Sequence, residues 1–190
     1  MNYQFTPLED SVTFLYQKLH INVPSQIDMI SIASNLGIWL HFVDFESAAI
    51  DRNGLYSILI NRNLSTQQQW EEFGHELGHV LFHCGHQWFL PEEFISYQEN
   101  KANNFALQFC VPTFMVLKLP IPQTKQEFIA DICNTFNVTE IFAKKRLEHF
   151  QRQVLGQRFT KHFSQMLGKH KVCVQTNFYL KGVNNDGHFS

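Results

Sequence analysis

The sequence predicts an α+β fold: a small antiparallel sheet packed on a histidine-bearing helix and a glutamate-bearing helix, followed by C-terminal helices. Three observations carry this. Asn53-Gly54 falls between the β-rich stretches AAI and LYSILI, a strong hairpin signal. The segment from about residue 66 to residue 83 separates apolar from His/Glu positions at helical spacing. Stretches near residues 8–20, 96–110, 124–136 and 139–153 also have helical patterns.

Taken in order, LEDSVTFLYQKLH (8–20) reads as an amphipathic helix, and Pro24-Ser25 opens a second, with Ser25 as N-cap, that stops at Gly37. IWLHFVDF (38–45) is short and β-rich, a strand that the hairpin then extends to two or three antiparallel strands. Ser65 or Thr66 caps the histidine helix, whose early turns carry Glu71 and Glu72. Residues 84–95 read as a loop, and the helix from about Ser96 to Cys110 stops before Pro112. IADICNTFNVTEIFAKKRLEHF (129–150) has a helix-turn-helix look with Asn137 at the turn, which is more often a packing unit than a DNA reader. VCVQTNFYL alternates like a strand, and the last residues read as frayed.

The chain has 190 residues, 44% apolar and 17% charged, enough for a real core. The absence of a basic-then-apolar leader and of any run near the roughly 18 apolar residues of a membrane span points away from secretion and membranes. Its four cysteines are widely spaced, which predicts a reduced, cytoplasmic protein. The net charge of −2 hides an asymmetry: residues 1–140 hold six Lys/Arg against fifteen Asp/Glu, and residues 141–190 hold nine against two. A basic tail docked on its own acidic body is the simple reading; nucleic-acid binding through the tail is the alternative.

The chemistry lies in WEEFGHELGHVLFHCGH (70–86). At about 100° per residue, His75 and His79 share one helix face, with Glu72, Glu76 and His83 around the same side. Trp70, Phe73, Leu77, Val80 and Leu81 form the opposite, apolar side. Two imidazoles at i and i+4 can hold one Zn²⁺, and the glutamate after the first of them then points at the ion's water, as a general base must. Glu76 is that base. A third ligand is needed. His83, His86 and Cys84 are available, but the continuation HxxGxxH fails because Phe82 and Gly85 stand in its places. The other route is Glu99. It shares a helix face with Ala102, Asn103 and Ala106, and small residues beside it let that helix come close. Asn103, one turn on, is placed to hydrogen-bond the distal nitrogen of a ligand histidine.

HELGHVLFH followed by ENKANNFALQFCVP resembles the ImmA/IrrE family of metallopeptidases, whose pattern is HELGH, then Glu-x-x-Ala-(Asn/Asp)-x-Phe-Ala and a run ending in Pro. Glu99, Ala102, Asn103, Phe105, Ala106 and Pro112 all fit, and the resemblance covers roughly residues 10–150. It implies a zincin-like (gluzincin-like) fold in residues 1–150 and a zinc peptidase of the kind often carried by phages and mobile elements; residues 151–190, which have no counterpart in the family, read from their charge as a basic C-terminal extension. ImmA-type members cleave or inactivate a helix-turn-helix repressor; IrrE-type members act in stress and DNA-damage responses. Many relatives carry an N-terminal helix-turn-helix domain. This chain starts directly in the peptidase region, so a repressor partner is expected to be a separate polypeptide.

The resulting expectation is a zinc-dependent endopeptidase with His75, His79 and Glu99 as ligands and Glu76 as base, cutting a helix-turn-helix repressor. A second oxyanion donor is open among Tyr97, His41 and Tyr56, and the strand at 55–60 offers an edge for an extended substrate. The rival readings are a module that sequesters a repressor without cutting it, and a DNA-binding regulator using the basic C-terminal helices.

Overall fold

The structure is a computed structural model describing residues 3–82, 91–120 and 122–167. Helix α1 (Pro7–Lys18) starts in a capping box: the Thr6 hydroxyl accepts from the Glu9 backbone, and the Glu9 carboxylate accepts from Thr6 N at 2.8 Å. The helix expected from Ser25 is instead broken in two. Pro24–Gln26 makes a 3₁₀ turn, Ile27 is extended, and α2 (Met29–Asn35) takes Asp28 as its cap, through Ser31 N at 2.8 Å. Asp28 wins because its carboxylate reaches an otherwise orphaned helix N–H.

Strands β1 (Trp39–Val43), β2 (Ala48–Arg52) and β3 (Leu55–Asn61) form one sheet in the order β1-β3-β2. The hairpin is as expected: Asn53 and Gly54 both have positive φ, 56° and 86°, and Asp51 accepts from Gly54 N at 2.8 Å. The wholly antiparallel sheet is not. β2 pairs antiparallel with β3, but β1 pairs parallel with it, Trp39 opposite Ser57 and Val43 opposite Asn61. The chain leaves β1, skips one position to the far edge, and returns through the hairpin, so β3 arrives in the centre running the same way as β1. The edge expected at 55–60 is therefore paired on both sides; among the described residues the outer strands of the sheet are β1 and β2.

Ile58 and Ile60 of β3 are fully buried, and the sheet lies against α3 (Thr66–Phe82). Ser65 caps α3 through Gln68 N at 3.2 Å. Trp70, Phe73 and Leu77 sink into the core, whereas Leu81, assigned to the same apolar face, is exposed. Helix α4 (Glu92–Cys110) begins a turn earlier than expected: Pro91 occupies the N-cap position, and Glu92 and Glu93 suit the first turn. Phe105 and Phe109 stack at 5.3 Å, and Trp70 and Phe73 close on Phe109, so one aromatic cluster joins α3 to α4.

Beyond α4 lie α5 (Thr113–Val116), α6 (Lys125–Phe136) and α7 (Glu140–Leu167). Thr124 and Glu127 cap α6, and Asn137 ends it in the left-handed region at φ 51°, the turn the sequence placed there. The α6–α7 turn is tied to α3: Gln67 donates to Val138 O, and Glu71 accepts from Thr139 N. Arg146 of α7 is 1% exposed. It donates to Val111 O at 3.0 Å, Gln108 Oε1 at 2.9 Å and Thr113 Oγ1 at 2.7 Å, and Thr113 hydrogen-bonds Glu9. This network pins α1, α5 and α7 to the end of α4. Burial pushes the guanidinium down to about 10, against the opposing pull of Glu9.

The core belongs to a compact unit ending at Gln153. The helix expected over 139–153 does not stop there; α7 continues to Leu167 within a second unit starting at Val154. The strand read at VCVQTNFYL and the frayed end lie outside the described residues. No described helix is long and apolar enough to cross a membrane.

Candidate metal centre

α3 and α4 run antiparallel and very close. Their contact is lined on α3 by Gly74 and Gly78, and on α4 by Ala102, Ala106 and Cys110. A Cβ on Gly78 would sit 3.0 Å from Ala102 Cα and 3.2 Å from Phe105 Cδ1; one on Gly74 would sit 2.4 Å from Cys110 Sγ. The Gly-xxx-Gly spacing facing a row of small residues is the reason the backbones can approach so far.

That approach carries Glu99 to the histidines. His75 Nε2 lies 3.3 Å from Glu99 Oε2, His79 Nε2 lies 3.4 Å from Glu99 Oε1, and the two Nε2 atoms are 3.0 Å apart. A tetrahedral zinc with ligand bonds of 2.0–2.1 Å needs neighbouring donors about 3.3 Å apart. The three separations lie close to that edge, so two nitrogens and one carboxylate fit a zinc-sized ion, and together they could hold a metal. Burial pushes the His79 imidazole down, with His75 adding to it and Glu99 opposing, which favours the neutral form that ligates.

Glu76 is buried, at 7% exposure, between His75 and His79 in sequence. Burial, reinforced by Glu72 and Glu99, raises its carboxyl to about 7; a hydrogen bond from the Ala49 backbone on β2 works the other way. A carboxyl poised near neutrality can both accept and return a proton.

Of the residues singled out from sequence, His75, His79 and Glu99 are thus brought together, with Glu76 beside them. Asn103 lies on α4 one turn beyond Glu99 and is exposed. His41 on β1 and Tyr97 on α4 are exposed, Tyr56 on β3 is half-buried, and Lys101 Nζ sits 5.3 Å over the Tyr97 ring. His83, Cys84 and His86 lie outside the described residues. Sequence reasoning missed Gly74 and Gly78; their four-residue spacing opposite Ala102 and Ala106 was the available signal. It also missed the Ala49 N–H, which no side-chain pattern announces.

Fold and site together define a metallopeptidase-type domain, and comparison with known proteins agrees. Residues 33–148 match the IrrE N-terminal-like domain of the M78 peptidase family. The chain belongs to that family of metallopeptidases, as its ImmA/IrrE resemblance indicated. It is similar to the phage-like element PBSX protein XkdA of Bacillus subtilis (strain 168), with 43% identity over 175 residues, 92% of this chain and 86% of XkdA. It is also similar to the uncharacterized protein YqaB of the same strain, with 33% identity over 160 residues, 84% of this chain and 93% of YqaB.

Proposed function

We propose that this chain is a zinc-dependent endopeptidase that cleaves a separately encoded helix-turn-helix repressor in the cytoplasm. The observation that supports it most is the convergence of His75, His79 and Glu99 at tetrahedral-edge distances with a buried carboxyl alongside. A zinc ion held there supplies Lewis acidity, lowering the pKa of a water toward neutrality and stabilising negative charge on a peptide carbonyl oxygen. Glu76 takes the proton of the attacking water and passes it to the amine released when the C–N bond breaks. The Ala49 N–H fixes the carboxylate that does this. The outer edge of β2, beside Glu76, suits an extended substrate pairing as an added strand. Residues 1–150 form the peptidase domain in this reading, and 151–190 a basic extension outside the catalytic centre. Asn103, one turn beyond Glu99, orients a ligand histidine in this reading.

A DNA-reading role for α6–α7 fits less well, because the turn is held by Gln67 and Glu71 and Arg146 is committed to the interior. The test that separates cutting from sequestering is Glu76→Gln. An amide cannot accept the proton, so cleavage of the repressor should fall about 10²–10⁴-fold while zinc content and repressor binding persist. If Glu76→Gln relieves repression as well as wild type, proteolysis is not the function.

A further inference from the structure

Glu72 lies on the histidine face of α3. At about 100° per residue it falls about 60° round the helix from His75, between His79 at about 40° and Glu76 at about 100°. It is therefore inside the arc that carries the metal-site residues, one turn before Glu76. It is half-buried, and among the described residues no hydrogen bond or ion pair reaches its carboxylate. The donors that converge on the metal position are His75, His79 and Glu99, and Glu72 is not one of them. Its neighbours are engaged elsewhere: Glu71 accepts from Thr139 N, Gln68 accepts from Ser65 N, and Gln69 donates to Arg62 O and Leu64 O. The surrounding elements offer it little countercharge. α3 and β3 carry no Lys or Arg, β2 carries only Arg52, exposed beside the hairpin turn, and α4 only Lys101, which sits over the rings of Phe82 and Tyr97. The charge of Glu72 is felt at the base: after burial, it is the next cause that raises the Glu76 carboxyl.

We propose that Glu72 selects the substrate by pairing with the Lys or Arg side chain of a residue within two positions of the scissile bond. The inference rests on the peptidase reading above and names its substrate class, a segment with a basic residue beside the cut. Side chains one turn apart on a helix lie about 5–6 Å apart, and an extended substrate advances about 3.3 Å per residue. Glu72 therefore stands about two residues from the bond attacked beside Glu76. A bound substrate drives water from this face, and a carboxylate dried without a partner is destabilised. An ammonium or guanidinium carried by the substrate removes that penalty through charge-assisted hydrogen bonds, roughly twice as strong as neutral ones. An apolar side chain of similar length leaves the carboxylate unpaired, and the difference between the two is the selectivity. Glu72 acts on a side chain away from the reacting atoms, so it sets specificity and is not a second base.

The probe is the repressor-type protein encoded nearest this chain's gene, incubated with full-length, zinc-loaded protein, its cut site mapped by mass spectrometry. A Lys or Arg should stand within two residues of the cut. Changing that residue to Met should lower kcat/KM about tenfold with wild-type enzyme and by about twofold or less with Glu72→Gln. The ratio is taken within each enzyme, so any change that the substitution causes at Glu76 cancels. Glu72→Lys should reverse the order, favouring a repressor with Glu at that position over the natural one. Zinc content and circular dichroism check that both enzyme variants fold. A cut with no Lys or Arg within two residues overturns the role of Glu72 and leaves the peptidase reading standing, and so does an equal loss in wild type and Glu72→Gln. Glu72-dependent removal of residues from the amino end alone would reassign the carboxylate to the substrate's α-amine. Failure of wild type to cut the repressor overturns the peptidase reading, and the selection with it.

Discussion

Gly74→Ala probes the contact on which the candidate site depends. The added methyl would lie 2.4 Å from Cys110 Sγ, about an ångström inside ordinary van der Waals distance. Cys110 is fully buried and its Sγ donates to Trp70 O at 3.4 Å, so moving the sulfur aside breaks that contact. The substitution gains about 1 kcal/mol of helix propensity. Overpacking of this kind costs about 1–3 kcal/mol, leaving a net loss of about 0–2 kcal/mol. For a domain of this size that is a fall in Tm of at most roughly 4–8 °C. The functional effect should be larger in proportion, because the strain is relieved by parting α3 and α4. Ligand positions tolerate about 0.2 Å, so a shift of a few tenths of an ångström at Glu99 should weaken zinc about tenfold. The assay is competitive zinc titration with thermal unfolding, run on wild type, Gly74→Ala, and Gly74→Ala with Cys110→Ala. Without Sγ the nearest remaining contacts are Ala106 Cα and Cβ at 3.6 Å, which are ordinary. The double variant should therefore recover zinc affinity. Wild-type affinity in Gly74→Ala, or no recovery on removing the sulfur, would refute the idea that this seam sets the position of Glu99.

Further expectations follow from the same geometry. Glu99→Ala removes one of three converging donors, so metal analysis should find most of the zinc lost while the fold, read by circular dichroism, persists. Arg146→Ala leaves Glu9 buried without its countercharge and should cost about 3–5 kcal/mol in denaturant unfolding. Burial opposes ionisation of Glu9, but hydrogen bonds from Thr113, Thr6 and Tyr3 outweigh it and hold its carboxyl below the ordinary 4.5. Its stabilisation is then complete above about pH 4.5 and lost as pH falls through the lowered value. Glu9→Gln should flatten that acid limb of the stability profile, measured by urea unfolding between pH 3 and 6. A chain ending at Gln153 keeps the Tyr3 contacts to Phe150 and Gln153 and should fold and retain zinc.

The sequence by itself determined whatever is local and periodic. A 100° step puts His75 and His79 on one helix face whatever surrounds it, Asn53-Gly54 selects a tight hairpin, and Asn137 tolerates the left-handed turn that ends α6. Glu99 was legible through the small residues beside it, since only they let a second helix close on the first. The structure decided what depends on non-local competition. Strand polarity was settled by where β1 lies across the sheet, which periodicity does not encode: the same alternation serves parallel and antiparallel neighbours. Asp28 displaced Ser25 as a cap because of which side chain reached the helix end. The spacing of Asn103 fixes only its helix face; its exposure there was decided by the packing of α4. The proton-handling environment of Glu76 is tertiary as well, because its raised carboxyl comes from burial against β2 and from neighbouring carboxylates that include one on a different helix.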